Sequence, residues 1–98
     1  MMRREGACIV VSGAVTLANV ARVLDEGYAQ IRAGAGAVDL AEVTELDSSL
    51  LALLLAWLRE ARRLGRGLEF AHLPPGLETI ARVYGVVDLL PAAAQAHH

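Results

Sequence analysis

The sequence is poor in the residues that usually carry chemistry. It holds one cysteine in 98 residues, which excludes an internal disulfide. Cys8, in the run Ala7-Cys8-Ile9-Val10-Val11, reads as a small core hydrophobe suited to a reducing cytoplasm. There is no Cys-x-x-Cys, no His-x-x-x-His and no carboxylate cluster with ligand spacing, so neither a metal nor another cofactor is expected. The histidines are His72 and the pair His97 and His98, which we expect to sit at a frayed terminus. His72 has no sequence-evident nucleophile or metal partner and reads as structural, so no catalytic role is expected of it. A net charge of −2 provides no diffuse attraction for nucleic acid. Repeats, low-complexity tracts and linkers are also missing. The apolar run Leu50–Leu58 falls far short of the ~20 residues that span a bilayer. Met1-Met2-Arg3-Arg4 imitates the start of an export signal. However, Glu5 and Gly6 intervene, and the apolar stretch stops at Ser12, below the ~7–15 residues such a signal needs.

What is abundant is hydrophobic content, 55% of residues, in a length that suits one domain of about 50–250 residues. We expect residues 1–91 to form that domain and 92–98 a disordered tail. Ala7–Ser12 is a β-branched run closed by Gly13, hence a strand. Leu17, Val20, Leu24, Tyr28 and Ile31 follow helical spacing behind Thr16 as N-cap, and Gly34 and Gly36 turn the chain. Ala37–Ala41 is a second strand. Asp47 or Ser48 caps a second helix that ends at Gly65 and Gly67. Leu68–His72 is a third strand, broken by Pro74-Pro75. Leu77, Ile80, Ala81 and Tyr84 mark a last short helix stopped by Gly85, and Val86–Leu90 adds a turn or an edge strand. The order β-α-β-α-β-α predicts an α/β fold with a small, mainly parallel or mixed sheet.

The second helix is the unusual element. A helix packed on one side needs an apolar stripe a little over ~100° wide, whereas Leu50–Leu58 is apolar all round. Either the fold covers both sides or one side awaits a partner protein, and the second is the expectation. At ~100° per residue, Leu50, Leu53, Leu54, Trp57, Ala61 and Leu64 gather as the core face. Leu51 and Leu55 fall near Ser48, Arg59 and Arg62, with Ala52 at the edge. Such a mixture suits an interface with an apolar centre and a charged rim. Its candidate residues are Ser48, Leu51, Ala52, Leu55, Arg59 and Arg62. The polar members have a plainer reading: Asp47-Ser48-Ser49 as a helix cap, and Arg59, Arg62, Arg63 and Arg66 as a solvated face favouring the helix dipole. Gly34-Ala35-Gly36-Ala37 precedes a strand and lacks a Gly-Lys ending, so it is a turn rather than a phosphate loop. A phosphate on Ser48 would sit at the helix N-terminus without harming the fold, while repelling an apolar partner.

The block Val38-Asp39-Leu40, Leu46-Asp47-Ser48-Ser49, Leu50–Leu58 resembles the STAS domains, α/β modules of sulfate transporters and anti-sigma-factor antagonists. Within them it is most similar to the MlaB type, the STAS subunit of Mla phospholipid-transport ABC systems. Leu51-Ala52-Leu53-Leu54-Leu55, Ala61-Arg62-Arg63-Leu64-Gly65 and Thr79–Val86 carry that likeness over almost the whole chain. The resemblance implies a non-enzymatic adaptor on the cytoplasmic side of the inner membrane. It would bind an ABC-transporter ATPase subunit in support of outer-membrane lipid asymmetry, peripheral to the membrane through the complex. Apart from the resemblance, an exposed apolar helix face can self-associate when the chain is isolated, which leaves the oligomeric state open. The resemblance also implies a second reading, an anti-sigma-factor antagonist switched by phosphorylation of Ser48. Leu50, standing where the family carries glycine, departs from that second pattern. With only six residues before the first clear strand, a leading edge strand is absent or very short.

Overall fold

The computed structural model describes residues 1–85. The expectations for Val86–Leu90 and for the tail lie outside that range. Four strands and three helices follow in the order β1 (Met2–Glu5), β2 (Cys8–Val15), α1 (Val20–Arg32), β3 (Ala37–Leu46), α2 (Ser48–Arg63), β4 (Glu69–Ala71) and α3 (Pro75–Val83). The sheet runs β1-β2-β3-β4. β2, β3 and β4 are parallel, as helical crossovers dictate, and β1 adds an antiparallel edge through a tight turn at Gly6, whose φ is +62°. The sheet is therefore mixed, and the leading strand is present but four residues long.

Two elements run longer than their sequence signals. β2 continues through Gly13, which takes a φ of +82° where the register with β3 slips. A bulge at a left-handed glycine keeps the pairing alive, so β3 extends to Leu46 instead of turning after Ala41. The first helix, in contrast, starts late. Thr16 opens a turn instead of capping: its carbonyl accepts from Asn19 and Val20 N–H and its hydroxyl from Ala18 N–H. Asn19, whose side chain bonds Thr16 N–H and the Ala14 carbonyl, precedes the helix. Leu17 therefore lies outside the helix and is 79% exposed, where its spacing had placed it on the buried face.

One core joins Ile9, Val11 and Val15 of β2, Val38 and Leu40 of β3 and Phe70 of β4 to all three helices. Trp57 lies at its centre, fully buried, with its indole N–H donating to the Leu24 carbonyl at 3.0 Å. The indole rests where α1 has Gly27. A methyl group there would stand 2.0 Å from Trp57 Cζ2. α1 and α2 are further held by Glu60, which accepts from Arg63 (2.7 Å) and Arg32 (3.0 Å).

Those hydrogen bonds, Arg63 first and Arg32 second, lower the Glu60 carboxyl from 4.5 to about 2. Because the folded-state value lies below the unfolded one, the contribution is complete above pH 4.5 and disappears as pH falls through about 2. Melting temperature is thus expected to fall over that window, and less steeply in Glu60→Gln. Parallel slopes would mean that the Glu60 pair adds nothing.

The far side of the sheet is polar. Arg3 of β1 makes a two-pronged bond to Glu42 of β3, 2.9 Å on each arm, and a third bond to Glu5. His72 follows β4 at a φ of +59°, its Nδ1 3.0 Å from Asp39 Oδ1. Burial pushes the Asp39 carboxyl up, but the Ala41 N–H and His72 outweigh it and hold the group below its ordinary value. His72 thus clips the exit of β4 to β3.

Candidate functional site

The exposed side of α2 begins at a cap that does two jobs. Asp47 has extended backbone, and its Oδ1 accepts from the Ser49 N–H at 2.8 Å and from the Ser49 hydroxyl. Its Oδ2 accepts from the Leu17 N–H at 3.0 Å. These bonds, the Ser49 hydroxyl foremost and then the Leu17 and Ser49 amides, keep the carboxyl below its usual range. Asp47 therefore starts α2 and ties the Thr16–Asn19 turn to that start. Leu17 is consequently fixed beside the helix N-terminus with its side chain in solvent.

Ser48 is the first residue of the helix and is exposed. While Asp47 and Ser49 bond one another, the Ser48 hydroxyl makes no hydrogen bond among the described residues. From Ser48 an exposed strip runs along α2 through Ala52, half-buried Leu55, Arg59 and Arg62. Near its C-terminal end, Leu55, Leu58, Arg59 and Arg62 line a shallow depression of about 180 Å³. The geometry gathers five of the six candidate residues along one side of one helix.

Leu51 is the exception and is a correction. It is 4% exposed and belongs to the core, as does Leu58 one helical side with it. α3 packs against α2 and brings Leu77 and Ala81 into the same core cluster as Leu51. Most of the surplus apolar width of α2 is thus covered within the fold. Ala52 and parts of Leu55 and Ala56 remain as apolar surface on this side. Leu50, in the position where the resemblance expects glycine, is fully buried and adds a core side chain.

The four arginines at the end of α2 divide into two pairs. Arg63 bonds Glu60, and Arg66 donates to the Ile31 carbonyl, so both serve the fold. Arg59 and Arg62 make no hydrogen bond or ion pair among the described residues. Sequence reasoning missed Leu17, for which an apolar residue between Thr16 and Ala18, just ahead of Asn19, was the available signal. Among the described residues no group of His, Cys, Asp and Glu is placed to hold a metal. No described helix is long and apolar enough to cross a membrane.

Comparison with known proteins sets this geometry in a family. The structure is similar to a chain of the Acinetobacter MlaFEDB complex in its ATP-bound Vtrans2 conformation, with a TM-score of 0.82 at 24% identity over 95% of this chain and 99% of that one. It is also similar to the anti-sigma factor antagonist SpoIIAA in its unphosphorylated form, with a TM-score of 0.70 at 16% identity over 98% and 89% of the two chains. The phosphorylated form of SpoIIAA, a Bacillus cell fate determinant, gives a TM-score of 0.67 at 16% identity over 98% and 92%. At such identities the likeness is one of fold. No curated protein sequence matches. The STAS_2 family model, "Mlab, STAS domain", matches residues 1–91, and the chain belongs to that family.

Proposed function

We propose that this chain is a non-enzymatic adaptor that binds the ATPase subunit of an Mla-type phospholipid-transport ABC transporter. In that role it supports assembly or activity of the complex at the cytoplasmic face of the inner membrane, and through it outer-membrane lipid asymmetry. The observation that carries the reading is the exposed strip Ser48, Ala52, Leu55, Arg59 and Arg62, flanked by Leu17 and held on a rigid helix. An apolar centre with a charged rim, on a helix whose opposite face is buried in the core, suits protein docking better than catalysis. The family match and the fold shared with a chain of the MlaFEDB complex support the choice of partner.

The test is co-purification of the full chain from detergent-solubilised native membranes, followed by affinity measurement on the recovered pair. Ala52→Asp and Leu17→Asp are expected to weaken binding at least about tenfold, roughly 1.4 kcal/mol, with an unchanged melting temperature. Unaltered affinity in both would remove the strip from the contact. Absence of an ABC ATPase from the wild-type preparation would overturn the reading itself.

A second reading keeps one observation of its own. Ser48 offers a free, exposed hydroxyl at the first turn of α2, where helix N–H groups favour negative charge. Phosphorylation there would install a dianion on the docking strip while leaving the fold intact. Ser48→Glu is accordingly expected to weaken the complex without lowering the melting temperature. Equal binding would place Ser48 outside the contact.

A further inference from the structure

The chain has no lysine, and each of its nine cationic side chains is an arginine. Seven of them are engaged within the fold. Carboxylates receive Arg3, Arg22, Arg32, Arg63 and Arg82, while backbone or amide oxygens receive Arg4 and Arg66. Arg59 and Arg62 stand apart: exposed, three residues apart on one side of α2, and unpaired among the described residues. The helix dipole accounts for a cation in the last turn, where Arg62 and Arg63 lie, but Arg59 precedes that turn. Two like charges at this spacing are mildly unfavourable to a helix on their own.

Between these two guanidinium groups and the stems of Leu55 and Leu58 lies the depression of about 180 Å³. That is below the ~300–1,000 Å³ of small-molecule sites. It suits one apolar side chain. Resting on the adaptor reading above, we propose that the segment of the partner protein docking on α2 is acidic. One apolar side chain of that segment fills the depression, and carboxylates beside it are received by Arg59 and Arg62. Planar guanidinium groups favour this arrangement because they accept carboxylates in a two-pronged fork.

The missing lysines make a direct test available. Arg59→Lys or Arg62→Lys gives the chain its first ε-amine, and a carbodiimide joins an amine only to a carboxylate in contact with it. The full-length variants are treated in native membranes, with Arg22→Lys as a distant control, and the joined peptides are sequenced by mass spectrometry. The expected result is linkage from positions 59 and 62, and not from 22, to Asp or Glu of the ABC ATPase subunit. In parallel, the Arg59→Glu/Arg62→Glu pair should weaken the purified complex roughly tenfold or more, with a smaller effect at high salt.

A complex that forms normally, shows no linkage at 59 or 62 and is indifferent to the charge reversal overturns this proposal while leaving the adaptor reading in place. Linkage to carboxylates of a different, identified protein retains the acidic segment and overturns the ATPase as partner. Binding of the free chain to phosphatidylglycerol vesicles that Arg59→Gln/Arg62→Gln abolishes, with no linkage to protein, assigns the pair to a membrane surface and also overturns the proposal.

Discussion

Trp57→Ala is expected to cost roughly 3–5 kcal/mol, at the top of the range for a single core truncation. The indole is fully buried where α1, α2 and the sheet meet, and it donates its N–H to the Leu24 carbonyl. A domain of this size has only about 5–15 kcal/mol of stability, so the variant should be marginal at physiological temperature. The reverse change makes the same point from the other helix. Gly27→Ala improves helix propensity by up to about 1 kcal/mol, yet its methyl would lie 2.0 Å from the indole. Overpacking of this kind costs about 1–3 kcal/mol and occasionally more, so a net destabilisation is expected. Urea unfolding measures both. The informative variant combines Gly27→Ala with Trp57→Phe, which removes the ring atoms nearest the new methyl. It should cost less than the sum of its parts. Strict additivity would mean that Gly27 is present for some reason other than Trp57.

Leu51→Asp is expected to unfold the protein rather than release a partner. Leu51 is 4% exposed within the core cluster, and a carboxylate there would be buried without a counter-charge. Burial of an unpaired charge costs several kcal/mol or forces local unfolding. Ala52→Asp, one residue along the helix but exposed, should leave the circular dichroism spectrum and melting temperature unchanged. The contrast between neighbours separates core from contact in one experiment. A folded Leu51→Asp protein would show that the core can open at this position, and would return Leu51 to the docking surface.

Much of the fold was legible because local chemistry and global packing agree. Glycines at 65 and 85 end α2 and α3 in left-handed backbone, as their positions after apolar periodic runs suggest. Asp47 was one of two candidate caps and makes the cap bond. Trp57 and its neighbours at helical spacing fall in the core. What was illegible depends on partners distant in sequence. Met2-Arg3-Arg4-Glu5 has no strand-like pattern and becomes a strand because β2 offers it an edge. A helical wheel gives the direction of each side chain in α2 but not how many neighbours stand around it. Leu51 therefore reads as exposed on the wheel, although it belongs to the core cluster that α2 shares with α3. Leu17 fitted the helical period of α1 but fell outside once the helix began four residues after Thr16. In the site itself, the strip was readable as a direction, whereas the division of the arginines into paired and unpaired was not.

The double role of Asp47 bears on the entropy of association. A surface turn left free before docking must be ordered at the moment of contact, at roughly 1–2 kcal/mol per backbone residue. With one carboxylate oxygen on Ser49 and the other on Leu17, that ordering is complete in the free chain. Loss of Asp47 would therefore slow or weaken capture of a partner that never touches it. A genetic screen for broken complexes should recover this residue alongside the contact residues, although its side chain faces its own chain.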